Sequence, residues 1–80
     1  MKTEVLIPQQ GLTSEEVTIL EIFKKVGDRV EKGDELFQME SEKSNFPLES
    51  PVKGTIVEIR VKEQDEVSIG MVALVIEEDP

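Results

Sequence analysis

The sequence predicts an all-β fold, a flattened barrel or sandwich of two pseudosymmetric sheets, and three features lead to this prediction. Six short runs rich in β-branched and other apolar residues alternate with Gly, Pro and Asp. One of these runs, 55–61, alternates apolar and charged residues with the period of two expected for a sheet buried on one face. The two halves of the chain also resemble each other, which indicates internal two-fold symmetry.

The repeat has a period of 37 residues, and nine of the 23 positions are identical when 18–40 is aligned with 55–77. Stacked repeat proteins need about three or more copies to bury a continuous core. Two copies in a chain of 80 residues therefore point to one domain whose halves share a core. The identical pairs are Thr18/Thr55, Ile19/Ile56, Glu21/Glu58, Ile22/Ile59, Lys25/Lys62, Asp28/Asp65, Val30/Val67, Gly33/Gly70 and Glu40/Glu77.

The apolar runs give the predicted strands in chain order. Between the first two strands, 9–16 has the composition of a loop, and 13–16 could begin a helix. No apolar stripe of helical period follows it, so we expect a loop there. The strands are predicted at 5–8, 17–23, 36–40, 46–49, 55–61 and 72–77.

The core is expected to come equally from both halves. Val57, Ile59 and Val61 share one face of their strand, and Leu20 and Ile22 occupy the matching positions of the first repeat. Three further apolar pairs complete this core: Val30/Val67, Phe37/Leu74 and Met39/Ile76.

Matching turns separate the strands of the two halves. Gly33 and Gly70 are expected at equivalent positive-φ positions, where a side chain costs roughly 1 kcal/mol. Gln64 stands where the first half has Gly27, so the symmetry does not demand glycine at that turn.

The composition argues against several classes of function. Eighteen acidic and nine basic residues give a net charge of -9, which opposes binding to nucleic acids and to anionic membranes. The absence of His and Cys removes disulfides, the usual zinc ligands and the usual partners of a nucleophilic serine. No apolar run approaches the ~20 residues of a membrane span, and the first residues do not resemble a signal peptide. An intracellular, non-catalytic protein is expected.

Lys43 lies in the turn predicted between 36–40 and 46–49. A shift of 37 residues relates this turn to the corner where the chain enters and leaves, so we expect Lys43 at the end of the domain opposite the termini. A turn tip presents a side chain without flanking neighbours. Glu40 and Glu42 favour the charged amine, and nothing nearby is apolar enough for Schiff-base catalysis. A solitary turn lysine is usually only solvated, so its surroundings decide the interpretation.

Those surroundings resemble a known family. The motif 40–44 reads Glu-Ser-Glu-Lys-Ser, which is similar to the Glu-Thr-Asp before the modified lysine of lipoyl domains and the Ala after it. Gly27 and Gly54 match family glycines 16 residues before and 11 residues after that lysine. The segments 26–30 and 50–56 also resemble family motifs. Essentially the whole chain resembles the biotinyl/lipoyl carrier domain family, specifically the lipoyl domain of a 2-oxo acid dehydrogenase complex acyltransferase component.

The resemblance implies a barrel-sandwich hybrid, hammerhead-like fold and a cofactor carrier instead of an enzyme. Lys43 would bear lipoic acid, attached by a lipoate ligase or lipoyl transferase, with Glu40, Glu42, Gly27 and Gly54 supporting recognition or the turn. The implied partners are the thiamine-diphosphate decarboxylase, the acyltransferase core and the dihydrolipoamide dehydrogenase of the complex. No metal, nucleic acid or membrane is expected.

The resemblance also carries expectations about organisation and location. We expect the carrier domain at 1–77 and the start of a linker or tail at 78–80. The isolated domain is expected to be a monomer, in the cytoplasm or, in a eukaryote, the mitochondrial matrix.

Two alternatives remain open. A biotin carrier has the same fold, but the biotinyl branch of the family places methionine on both sides of its lysine, where this chain has Glu42 and Ser44. The chain could also be an unmodified interaction module that kept the fold and lost its cofactor. The glycine cleavage H-protein, a related carrier, is longer and has helices for which this chain has no room.

Overall fold

The computed structural model describes residues 1–8, 16–41 and 44–79. Within these residues, eight strands form two four-stranded antiparallel sheets that make a flattened sandwich, which confirms the predicted all-β fold class. Of the loop predicted at 9–16, residues 9–15 lie outside the described residues, and Glu16 is not loop but the first residue of β2. The strands are β1 (Lys2–Leu6), β2 (Glu16–Ile22), β3 (Arg29–Val30), β4 (Glu35–Glu40), β5 (Asn45–Glu49), β6 (Gly54–Ile59), β7 (Glu66–Ser68) and β8 (Val72–Glu78).

The two sheets exchange strands between the halves of the chain. One sheet has the order β5-β4-β2-β7 and is called here the hairpin sheet; the other has the order β1-β8-β6-β3 and is called the terminal sheet. β3 from the first half pairs with β6, and β7 from the second half pairs with β2. Neither half completes a sheet alone, so the two repeats fold as one domain.

The strand pairings follow the two-fold symmetry that the repeat predicts. β2 pairs with β4 in the same register, shifted by 37 residues, as β6 pairs with β8. The edge strands β5 and β1 are also equivalent, because Asn45 pairs with Glu40 as Lys2 pairs with Glu77. The corner at the end of β4 is therefore the two-fold partner of the corner between β1 and β8.

A β-bulge in each half changes which residues face the core. The bulge skips Leu20 in the pairing of β2 with β4 and Val57 in the pairing of β6 with β8. The extra residue breaks the alternation of faces. Leu20 is half-buried and Val57 is 39% exposed, while Ile19 and Ile56 just before the bulges are fully buried. The prediction that Leu20 and Val57 belong to the core is therefore wrong.

The rest of the predicted core is confirmed. Val61 is buried, and Ile22 and Ile59 are partly buried against the central cluster. Burying aliphatic and aromatic side chains from both sheets in one cluster is the main stabilising term in a domain without disulfides. Both members of each predicted pair are buried: Val30/Val67, Phe37/Leu74 and Met39/Ile76.

The predicted strand list needs three corrections. β1 begins at Lys2, not at residue 5, because its first residues are polar residues of an edge strand with no apolar signal. β3 and β7 are absent from the predicted strand list, and they form strands of only two and three residues. Such short strands exist because the neighbouring strand of the other half supplies their hydrogen bonds.

The φ angles confirm the prediction for the turns at Gly33 and Gly70, and they add a requirement at the turns that contain Gly27 and Gln64. Gly33 and Gly70 have φ angles of 93° and 90°, as expected for equivalent turns. Gly27 and Gln64 also correspond, with φ angles of 97° and 72°. That turn therefore needs a left-handed residue in both halves, and Gln64 adopts this conformation although it is disfavoured for a residue with a side chain. The Gln64 side-chain amide donates to the Leu20 carbonyl at 3.3 Å, which helps to hold it.

Candidate functional site: the β4–β5 hairpin

The β4–β5 hairpin contains the sequence motif at 40–44. Phe37 and Met39 of β4 are fully buried, and Leu48 of the edge strand β5 is buried beside them. Five residue pairings join the two strands, from Glu35 with Glu49 at the base to Glu40 with Asn45 at the end. The core therefore fixes the position and direction of the hairpin end.

Ser41 and Ser44 continue the hairpin beyond the strands, and we call this pair the neck. The Ser41 N–H donates to the Ser44 carbonyl at 2.8 Å. The Ser41 hydroxyl donates to the same carbonyl at 3.0 Å and accepts from the Ser44 N–H at 3.4 Å. The two residues between them in the sequence, Glu42 and Lys43, lie outside the described residues. The neck fixes the points from which the chain leaves β4 and returns to β5.

The other predicted site residues lie in different parts of the fold. Glu40 is exposed at the end of β4, directly before the neck. Gly27 and Gly54 both belong with the terminal sheet: the Gly27 N–H donates to the Ile56 carbonyl at 2.8 Å, and Gly54 begins β6 and pairs with Val30. We therefore attribute the spacing of Gly27 and Gly54 around Lys43 to the folding of the domain. Of the predicted site residues that the structure describes, Glu40 is the one that adjoins the neck.

The two sheets differ in the charge of their strands. The strands of the hairpin sheet contain six exposed glutamates and no Lys or Arg, whereas those of the terminal sheet contain four glutamates together with Lys2 and Arg29. Arg60, directly after β6, also forms an ion pair with Glu58 at 3.1 Å. The hairpin sheet therefore presents the more anionic surface, which would attract a basic partner surface. Its glutamates are Glu16, Glu21, Glu35, Glu40, Glu49 and Glu66.

Ion pairs of the terminal sheet shift the pKa values of Asp79, Arg29 and Arg60. Hydrogen bonding to the Arg29 guanidinium lowers the pKa of Asp79, and the same contact raises the pKa of Arg29. The hydrogen bond to Glu58 raises the pKa of Arg60. Arg29, Arg60 and Glu58 are exposed and Asp79 is partly exposed. The Arg29–Asp79 pair lies at the corner that the two-fold symmetry relates to the neck.

Some kinds of site can be tested directly in the part of the chain that the structure describes. There, no group of three or more acidic, His or Cys side chains is arranged to hold a metal ion. Within the same ranges, no helix has the length and apolar character needed to cross a membrane.

The motif and its fold can now be compared with known proteins. A family model described as "Biotin-requiring enzyme", for biotin and lipoyl domains, matches residues 3–76. The chain belongs to the biotinyl/lipoyl family. The matched residues include nearly all of the two-sheet sandwich, so the family resemblance noted in the sequence covers nearly the whole domain.

Curated relatives of this biotinyl/lipoyl domain are acyltransferase components. The chain is 40% identical over 70 residues to the dihydrolipoyllysine-residue acetyltransferase component of the acetoin cleaving system of Bacillus subtilis, covering 88% of this chain and 18% of the relative. It is 41% identical over 70 residues to the corresponding component of the pyruvate dehydrogenase complex of Corynebacterium glutamicum, covering 88% and 10%. It is 35% identical over 75 residues to the succinyltransferase component of the 2-oxoglutarate dehydrogenase complex of Staphylococcus saprophyticus, covering 94% and 18%. The chain thus spans less than a fifth of the length of these relatives.

Solved structures show the same fold. The lipoyl domain of the 2-oxoglutarate dehydrogenase complex of Azotobacter vinelandii aligns with a TM-score of 0.70 and 20% identity, covering 98% of each chain. The urea carboxylase of Kluyveromyces lactis aligns with a TM-score of 0.79 and 23% identity, covering 96% of this chain and 6% of that one. At these identities the likeness concerns the fold alone.

Proposed function

We propose that this domain is a lipoyl carrier in which Lys43 forms an amide with lipoic acid. The observation that carries the proposal is the set of relatives named for a dihydrolipoyllysine residue, which match 88–94% of this chain. Lys43 is the only lysine between Glu35 and Glu49, the span of the β4–β5 hairpin. It is therefore the amine that the sequence motif assigns to the cofactor.

The surroundings of the hairpin support a displayed cofactor. Glu40, Ser44 and Asn45 are exposed, so the described residues around the neck form an open end of the sheet. A carrier needs this arrangement, because an arm attached at an exposed hairpin end can enter the active site of another protein. The buried Phe37 and Met39 hold the base of the hairpin, so the attachment point moves with the domain.

The attachment reaction needs only the amine from this chain. A lipoate ligase activates the lipoate carboxylate with ATP, forming an acyl adenylate and releasing pyrophosphate. The deprotonated lysine amine attacks the acyl carbon, the C–N bond forms, the bond to AMP breaks and one proton is released. Amide formation removes one positive charge, so the net charge goes from -9 to -10. When bound, the lipoyl dithiolane supplies the acyl- and electron-carrying chemistry.

The same reasoning assigns partners and a role in a larger assembly. We expect the lipoylated domain to carry acyl groups and electrons among a thiamine-diphosphate decarboxylase, an acyltransferase core and a dihydrolipoamide dehydrogenase of a 2-oxo acid dehydrogenase complex. Tethering a carrier raises its effective concentration at each active site. The six glutamates of the hairpin sheet, of which Glu40 adjoins the neck, provide an anionic surface for basic partner surfaces on the sheet that carries the arm.

One experiment tests the attachment. The domain is incubated with lipoate, ATP and a lipoate ligase, and the intact mass is compared for wild type, Lys43→Ala and Lys32→Ala. Lys32 is an exposed turn lysine outside the hairpin and serves as the matched control. We expect a gain of one lipoyl group on wild type and Lys32→Ala, and none on Lys43→Ala.

Two outcomes contradict the proposal. A wild-type protein that gains no lipoyl group, or a Lys43→Ala variant that still gains one, excludes Lys43 as the lipoyl attachment residue. A parallel incubation with biotin, ATP and a biotin ligase tests the biotin alternative. A gain of one biotinyl group, with no lipoylation, would assign the domain to the biotinyl branch.

A further inference from the structure

The neck is closed by a side-chain hydroxyl in addition to the main chain. In a regular antiparallel hydrogen-bonded pair, two opposite residues exchange two N–H···O=C bonds. Here the Ser41 N–H donates to the Ser44 carbonyl, while the Ser44 N–H donates to Ser41 Oγ. Because Ser41 Oγ also donates to the Ser44 carbonyl, this hydroxyl contacts both main-chain polar groups of Ser44.

Comparison with the symmetry-related corner shows that these hydroxyl contacts are specific to the hairpin. Position 41 corresponds to position 78, where the chain has Glu78. At that corner Glu78 accepts a hydrogen bond from the Thr3 hydroxyl at 2.6 Å, a contact between different strands and not across a turn. The repeat therefore does not impose a hydroxyl at position 41, and its contacts serve the end of the β4–β5 hairpin.

We propose that Ser41 is a positioning residue for the modification of Lys43, and this inference rests on the proposed lipoylation. The Ser41 hydroxyl joins the two residues that flank 42–43 in the sequence, so it raises the fraction of hairpins whose end has the geometry that the attaching enzyme binds. Loss of the hydroxyl leaves the hairpin strands intact, since Phe37, Met39 and Leu48 remain buried. It loosens only the neck.

The expected effect on KM follows from the fraction of molecules whose hairpin end has the conformation that the enzyme binds. The apparent affinity of an enzyme for its protein substrate falls in proportion to the fraction in the binding-competent conformation. The net stabilisation by one or two exposed hydrogen bonds corresponds to a population change of about two- to tenfold. Ser41→Ala should therefore raise the KM of a lipoate ligase for the domain about two- to tenfold, with kcat within about twofold of wild type.

Two variants serve as controls. Ser41→Thr keeps the hydroxyl and should restore the wild-type KM. Ser44→Ala keeps the main-chain N–H and carbonyl that contact Ser41, so its KM should equal that of wild type. Amide hydrogen exchange gives a readout independent of the enzyme: exchange at the Ser44 N–H should be faster in Ser41→Ala and unchanged in Ser41→Thr.

The experiment measures initial rates of lipoylation by intact mass over a range of domain concentrations. If wild type is lipoylated at Lys43 but Ser41→Ala has an unchanged KM, the role of Ser41 is wrong and the proposed function stands. An equal loss in Ser44→Ala, or a loss in Ser41→Ala that accompanies a lower melting temperature of the whole domain, would also overturn the positioning role. A wild-type protein that accepts no lipoyl group would overturn both proposals.

Discussion

At Gly54, the main chain of β6 lies too close to β8 to leave room for a side chain. A Cβ built on Gly54 would overlap the carbonyl oxygen of Glu77 and lie 2.9 Å from its carbonyl carbon and from Cγ2 of Ile76. Gly54 is not one of the positive-φ glycines, so close packing is the reason for glycine at this position. The position of Gly54 in the sequence, 11 residues after Lys43, is thus explained by the packing of β6 against β8.

Gly54→Ala is expected to destabilise the domain by about 2–4 kcal/mol, because main-chain atoms of β8 must shift to admit the methyl group. Urea unfolding followed by circular dichroism measures the change in the free energy of unfolding. Val57→Ala, a nearby change at a side chain that is 39% exposed, is the control and should cost less than about 1 kcal/mol. Equal stability of Gly54→Ala and wild type would show that β6 and β8 have more room than the structure indicates.

Single residues also show where sequence reasoning reaches its limit. The resemblance directs attention to Lys43, but the contacts of Ser41 with Ser44 depend on hydroxyl geometry, and their signal in the sequence is only a pair of small polar residues near a turn. Gln64 is similar: its alignment with Gly27 indicated only that glycine is not required at that turn, and nothing in its chemistry predicts a φ of 72°.

Among the elements, the repeat made the central strands predictable. β2, β4, β6 and β8 each combine a run of apolar residues with a matching partner in the other half, so two signals agree for each. β3 and β7 were missed because strands of two and three residues show no periodicity, and their partners come from the opposite repeat. The bulges were missed because Leu20 and Val57 are as apolar as core residues, although register places them at the surface.

The base of the β4–β5 hairpin contains an unfavourable contact that can be tested. Glu35 and Glu49 pair directly across the two strands, both are exposed, and like charges in this position destabilise a sheet. Glu49→Lys should raise the free energy of unfolding by about 0.5–1 kcal/mol at low salt, and Glu49→Gln by about half as much. Urea unfolding at low and high salt measures both, and screening should shrink the gain.

A matched control separates this cross-strand contact from the general relief of negative charge. Glu66→Lys makes the same change in net charge on the same sheet, but Glu66 pairs with Thr18. It should therefore stabilise the domain less than Glu49→Lys. If the two variants are equally stable, the contact between Glu35 and Glu49 contributes nothing beyond the net charge of the molecule.

At the scale of the whole molecule, the fold has two-fold symmetry, but the two corners that this symmetry relates differ from each other. One corner bears the neck, and the other joins β1, β8 and the residues that follow β8. At that second corner the Asp79 N–H donates to the Lys53 carbonyl at 3.0 Å, and the Asp79 carboxylate pairs with Arg29 of β3. Hydrogen bonds and an ion pair thus hold the end of the last strand against the edge of the terminal sheet, whereas the described residues of the first corner contact each other through the neck, where the cofactor is proposed.

The Arg29–Asp79 pair makes the stability of the domain depend on pH in a defined direction. Because the contact lowers the pKa of Asp79 in the folded state, its contribution is fully present above the ordinary Asp value of about 3.9 and is lost as the pH falls through the lowered pKa. Protonation of the other carboxylates acts in the opposite direction at the scale of the molecule, since acid relieves the repulsion in a chain with a net charge of -9.

The melting temperature of wild type alone therefore cannot isolate the contribution of the Arg29–Asp79 pair. The difference in melting temperature between wild type and Asp79→Asn can isolate it. This difference should be positive at neutral pH, shrink with added salt because Arg29 is exposed and Asp79 is partly exposed, and disappear below the lowered pKa. A difference that stays constant down to the acid limit would mean that the Asp79 side chain acts through a contact that does not depend on its charge, because Asn keeps the main-chain bond to Lys53.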